Sequence, residues 1–160
     1  MGHAVALLLM LTSLPAAGSE MATRVVLVKH TRTLSLYHGD QLLGSYRVAL
    51  GSHPTGAKQQ QGDGRTPEGH YLLDRKNPRS AFYKAIHVSY PDTTDRAQAR
   101  RNGVDPGGDI MIHGQKNSLG WAASITQRLD WTRGCIAVSD GDMDRIWSMV
   151  PPGTPILITP

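Results

Sequence analysis

Between residues 24 and 50 the sequence runs through three extended segments, RVVLVKH, TLSLYHG and QLLGSYRVAL, with Gly39 and Asp40 separating the last two. Leu34 and Leu36 alternate with polar neighbours, and a period of two is what a half-buried strand requires, so the stretch predicts a β-hairpin or meander. HYLLD, KAIHVSYP, DIMIHG, CIAV and the closing TPILITP have the same strand character. No helix alternates regularly with these strands, which argues against a doubly wound parallel sheet and for a mainly β domain.

Two segments break the pattern. TTDRAQARRNG offers Thr94 as a helix N-cap, Asp95 in the first turn and Gly103 as a stop, giving a short polar helix. In SDGDMDRIWSMVPPG, Met143, Ile146, Trp147 and Val150 fall at i, i+3, i+4 and i+7, one apolar helix face halted by Pro151 and Pro152. The expected architecture is therefore a β-sandwich of mixed sheets, with one polar helix and a C-terminal helix over residues 142–150 packed on one side.

The chain opens with MGHAVALLLMLTSLPAAGSE, an apolar stretch from Ala4 to Leu14 followed by Pro15 and small residues. That is the order of a secretory signal peptide, and the stretch is shorter than the roughly 18 residues a membrane span needs. Residues 1–19 are read as the signal and residues 20–160 as one domain, exported to the periplasm or cell envelope. A domain of about 140 residues can bury a genuine core. The formal charge of +4 comes from scattered Lys and Arg residues, so nucleic acid is not expected as a partner and a soluble monomer is.

An exported chain with a single cysteine cannot close a disulfide of its own, which marks Cys135 as a reactive thiol, an intermolecular partner or a small buried hydrophobe. A thiol attacks only as thiolate and needs a base nearby. Of the seven histidines, His87 and His113 lie inside apolar strand patterns. His113 closes DIMIHG beside Gly114, where a strand meets a loop and a substrate could approach, making it the better general base, with His87 next. Gly134, directly before Cys135, permits a tight turn that aims amides at a developing oxyanion, and one such donor is worth about 3 kcal/mol. It equally suits a plain turn before a strand.

One cysteine and dispersed histidines give no zinc spacing, GDGRTPEG lacks the lysine of a phosphate loop, and DPGGD has too few carboxylates for calcium. Neither a metal nor another cofactor is expected. The segment GSHPTGAKQQQGDGRTPEG, residues 51–69, is long enough without an element of its own to be either a substrate-binding loop or a surface connection.

IMIHG, then a gap, then TRGCIAV resembles the L,D-transpeptidase catalytic domain (YkuD-like) family of bacterial cell-wall enzymes. The likeness extends over residues 24–160, taking in GDGRTPEG, HVSYP, PGGDIMIHG, DGDMDRIW and GTPILI. The family's nucleophile motif reads Ser/Thr-His-Gly-Cys, an apolar residue, then Arg or Asn; here Thr132 is kept, Arg133 replaces the second histidine and Ala137 the later polar residue. This resembles a divergent W-T-x-G-C-I-A-V branch, some of whose members are similar to hydrolases that release envelope protein from the wall.

The resemblance implies that Cys135 attacks the carbonyl on the L-centre of meso-diaminopimelate in a peptidoglycan stem peptide, with His113 moving the proton and a thioester acyl-enzyme as intermediate. Gly134 and Cys135 would supply oxyanion amides, a carbonyl near Gly114 would orient the imidazole, and Thr132 and Arg133 would contact substrate. Arg133 could hold a peptide carboxylate or stay solvated. An amine resolves the thioester in a transpeptidase and water in a hydrolase, in which case a wall-linked lipoprotein is a candidate partner; an idle wall-binding module is the alternative without chemistry.

Overall fold

The computed structural model describes residues 20–160, and the expected signal peptide lies outside them. In chain order it has β1 (Arg24–Val28), β2 (Thr33–His38), β3 (Gln41–Arg47), β4 (Gly69–Ser80), β5 (Tyr83–Val88), α1 (Thr93–Asn102), β6 (Met111–His113), α2 (Ala123–Thr126), β7 (Ile136–Ala137), α3 (Asp140–Met149) and β8 (Thr154–Thr159). The alternation seen in the sequence points Val25, Leu27, Leu34 and Leu36 inward, where all four are buried.

The eight strands join in one mixed sheet in the order β3-β2-β1-β8-β4-β5-β6-β7. β1 with β8 and β6 with β7 run parallel. Past β3 the chain bends to the far end of the ladder, and Ala49 and Ala137 exchange two N–H···O bonds of 2.8 Å. The sheet thus curls until its ends meet. The mainly β, mixed architecture is the expected one, with its facing halves belonging to one continuous ladder. Leu50, Leu73, Ile86, Ile112 and Ile136 fill the interior, with Met143 and Ile146 from α3.

Local differences have local causes. β4 runs six residues beyond the HYLLD segment, through Pro78, because its pairing with β5 slips between Asn77 and Ser80, where a residue without an N–H is tolerated. The cap of α1 is Asp92 and not Thr94: its carboxylate accepts the Asp95 N–H at 2.8 Å, while the Asp95 carboxylate accepts the Asp92 N–H at 3.0 Å. This reciprocal pair satisfies two donors that a threonine at position 94 would leave open. Gly103 ends the helix as expected, in the left-handed region. α3 starts two residues early, at Asp140, since Ser139 caps it by accepting from the Asp142 N–H at 3.1 Å. α2 and the 3-10 turn Gly120–Ala122 before it have no counterpart in the sequence reading.

Candidate active site

The last residue of β6 and the one just before β7 are the two singled out by their chemistry, His113 and Cys135. Ile112 is in register with Ile136, and both point into the core. The residues on either side therefore face the other way: Met111 and His113 from β6, and Cys135 just ahead of β7. His113 and Cys135 thus stand diagonally across the β6–β7 pairing. Both line one groove of roughly 630 Å³, together with Phe82, Asp109, Met111 and Trp131.

The imidazole is fixed by what surrounds it. His113 Nδ1 lies 2.6 Å from the Gly114 carbonyl oxygen. A carbonyl only accepts, so Nδ1 carries the proton and Nε2 is left as a free base. Phe82 lies against the ring with centroids 4.8 Å apart, and Trp131 meets it edge-on at 5.9 Å. Burial draws the His113 pKa below the ordinary imidazole value, against the smaller upward pull of the Gly114 bond. Glycine at 114 is required by packing, because a Cβ there would stand 2.5 Å from Asp140 Oδ1 and 2.9 Å from Tyr83 Cβ.

The thiol is half-buried, with the Asp109 carbonyl 3.6 Å from its sulfur. Burial raises its pKa, and the nearby Asp109 charge adds to this; the Met111 amide beside the sulfur and the charge of Lys58 pull the other way without cancelling it. At neutral pH the resting pair is thus thiol and neutral imidazole.

Gly134 is a backbone requirement. Its φ is +124°, and an added Cβ would fall 2.5 Å from the Arg65 carbonyl oxygen. Its amide, however, donates to Thr132 Oγ1 at 3.1 Å, and that hydroxyl donates to the Cys135 carbonyl at 2.7 Å. The Gly134 N–H, expected as an oxyanion donor, is thus engaged within the turn. Thr132 is buried, braces the turn and also lines the groove. Arg133 is exposed, borders the groove and the cavity beside Lys58, and enters no ion pair among the described residues. His87 sits apart, its Nδ1 2.7 Å from Asp74 Oδ1 in a neighbouring cavity.

Residues 22–158 match the family described as YkuD, L,D-transpeptidase catalytic domain. This chain belongs to that family. The L,D-transpeptidase domain is 39% identical over 112 residues to the Escherichia coli protein named "Putative L,D-transpeptidase YafK", covering 66% of this chain and 44% of that one. It is 26% identical over 144 residues to "Putative L,D-transpeptidase YkuD" of Bacillus licheniformis, covering 86% of this chain and 66% of that protein. The chain thus spans less than half the length of its YafK relative. Among solved structures, the helical cell shape determining protein Pgp2 from Campylobacter jejuni shares the fold, with a TM-score of 0.66 and 23% identity over 87% of this chain and 48% of Pgp2.

Several residues that shape the site escaped the sequence reading. Lys29 is buried and its Nζ donates to Gly56 O at 2.7 Å, Thr66 O at 3.1 Å and Glu68 Oε1 at 2.8 Å. Lys58 donates to Asp63 Oδ1 at 2.9 Å, and Asp63 gathers the amides of Gln59, Gln60 and Arg65. These ties hold residues 51–69 of the L,D-transpeptidase domain beneath the nucleophile turn. A signal for Lys29 was present: it continues the inward series Val25, Leu27 along the first strand.

Proposed function

We propose that this domain is an exported, cysteine-dependent L,D-transpeptidase that acts as a monomer on meso-diaminopimelate stem peptides of peptidoglycan. The observation that carries the reading is the groove shared by Cys135 and His113, with the imidazole tautomer set by Gly114. As the sulfur attacks the carbonyl carbon on the L-centre of diaminopimelate, Nε2 takes the thiol proton. The tetrahedral intermediate collapses when Nε2-H hands that proton to the departing amine, leaving a thioester on Cys135. An acceptor amine then attacks the thioester, gives its proton to His113 and releases the thiol. Cys135 contributes its own amide as the oxyanion donor, and Arg133, with no ion-pair partner among the described residues, takes a stem-peptide carboxylate through its planar fork.

Hydrolysis of the same thioester by water is the runner-up, favoured by the likeness to the W-T-x-G-C-I-A-V branch, with a wall-linked lipoprotein as a released partner. Purified tetrapeptide muropeptides, and muropeptides carrying a linked protein, are incubated with the enzyme with and without an amine acceptor. Dimers formed by wild type and not by Cys135→Ala support transfer. Monomers and released protein support hydrolysis, and no turnover of either substrate by wild type leaves only a binding module.

A further inference from the structure

Four large apolar side chains that the fold leaves exposed fall in one stretch. Leu119, Trp121, Ile125 and Leu129 have 42%, 78%, 61% and 58% of their surface open. The stretch comprises the 3-10 turn and α2, prolonged by bonds from the Arg128 and Leu129 amides to Ile125 O and Thr126 O at 3.0 and 3.1 Å. Trp121, Ile125 and Leu129 recur every four residues, which lines them up along one side of a helical backbone. The other side is tied down: Thr126 Oγ1 donates to Gln115 Oε1 at 2.6 Å, and Arg47 Nε donates to Gln127 O at 3.2 Å. The apolar ridge thus faces solvent because its back is anchored, and it lines neither the groove nor the cavities beside it.

The exposed charges of the stretch are basic, while the two carboxylates nearest it are half-buried and engaged, Asp130 by Arg32 and the Leu50 amide and Asp140, beside Gly120, by the Gln115 amide. Residues 110–129 contain no Asp or Glu, whereas Lys116 and Arg128 are exposed within the stretch and Arg47 reaches it from β3. A second copy of the chain would bring these cations face to face, and like charges across an interface disfavour pairing. A protruding Trp/Ile/Leu ridge bordered by cations has the composition of a helix that lies in a membrane interface, with its apolar side at the headgroup boundary and its Lys and Arg among anionic headgroups. We propose that the ridge of Leu119, Trp121, Ile125 and Leu129 docks this domain on an anionic phospholipid surface. Trp131, two residues past the ridge, is a wall of the groove, so docking holds the groove close to the bilayer. The inference is independent of the catalytic reading.

The full chain is mixed with phosphatidylglycerol–phosphatidylcholine vesicles whose acyl chains are brominated, and tryptophan emission is followed with vesicle sedimentation. Quenching is expected with anionic vesicles, fading as salt is raised. Trp121→Phe is expected to remove most of the quenching while leaving sedimentation nearly intact. Ile125→Ser with Leu129→Ser is expected to weaken sedimentation about tenfold or more, with circular dichroism unchanged. Quenching that survives Trp121→Phe, or sedimentation indifferent to the double serine variant, overturns the proposal. So does a wild-type dimer that the serine variant dissociates, which would give the ridge to a second copy.

Discussion

The ring of Phe82, carried on the turn between β4 and β5, lies 4.8 Å from the imidazole of His113, at 45° to it. Together with Trp131 it keeps water from a base that must remain unprotonated, and burial is the larger cause of the lowered His113 pKa. Removing the ring should return that pKa toward its ordinary value near 6.5. Because the neutral form is the active base, the acid limb of kcat/KM should then move to higher pH in Phe82→Ala and stay in place in Phe82→Tyr. An acid limb that does not move in Phe82→Ala would show that this ring has no influence on the base.

Cys135 tests the resting protonation state. Burial, its first cause, raises the thiol pKa, so the sulfur is protonated at neutral pH and ionises only above the ordinary thiol range near ~8.5. The rate of iodoacetamide labelling should therefore still be climbing beyond that pH. A plateau already reached at neutral pH would mean a preformed thiolate–imidazolium pair instead.

At Gly134 the sign of φ and the Arg65 carbonyl both exclude a side chain. Gly134→Ala is expected to cost on the order of 2 kcal/mol in denaturant unfolding and to lower turnover at least tenfold by displacing the sulfur. Wild-type stability and rate in this variant would mean that the turn is not held against the loop.

Lys29 ties residues 51–69 to β1 through three hydrogen bonds. Lys29→Met would leave Glu68 without its partner and the Gly56 and Thr66 carbonyls unbonded. Losing one member of a buried ion pair costs about 3 kcal/mol, somewhat less here because Glu68 is partly exposed, or roughly 10 °C in the melting midpoint. A midpoint shift within about 1 °C would make this lysine dispensable to the fold.

What could be read from the chain was what is local and periodic. Alternation at Val25, Leu27, Leu34 and Leu36 gave the strands, and the spacing of Met143 and Ile146 gave the buried face of α3. The closure of the sheet at Ala49 and Ala137 was out of reach, because a single bridge between residues 88 positions apart leaves no pattern. α2 was missed because it spans only four residues, with Ile125 its one large apolar side chain, too short for a period to emerge within it. At the site, the residue types announced Cys135 and His113, and glycine announced the tight turn. Which way each amide points depends on the folded turn, so the donation from Gly134 to Thr132 could not be foreseen.

The central claim is that Cys135 forms a covalent acyl intermediate with His113 as its proton acceptor. Intact mass after mixing the protein with a tetrapeptide muropeptide or a carbapenem measures this directly, with peptide mapping to place the adduct. The expected result is one acyl group on Cys135 in wild type, its formation slowed at least a thousandfold in His113→Ala and abolished in Cys135→Ala, with both variants folded. An adduct that persists in Cys135→Ala, or wild-type acylation rates in His113→Ala, would contradict it.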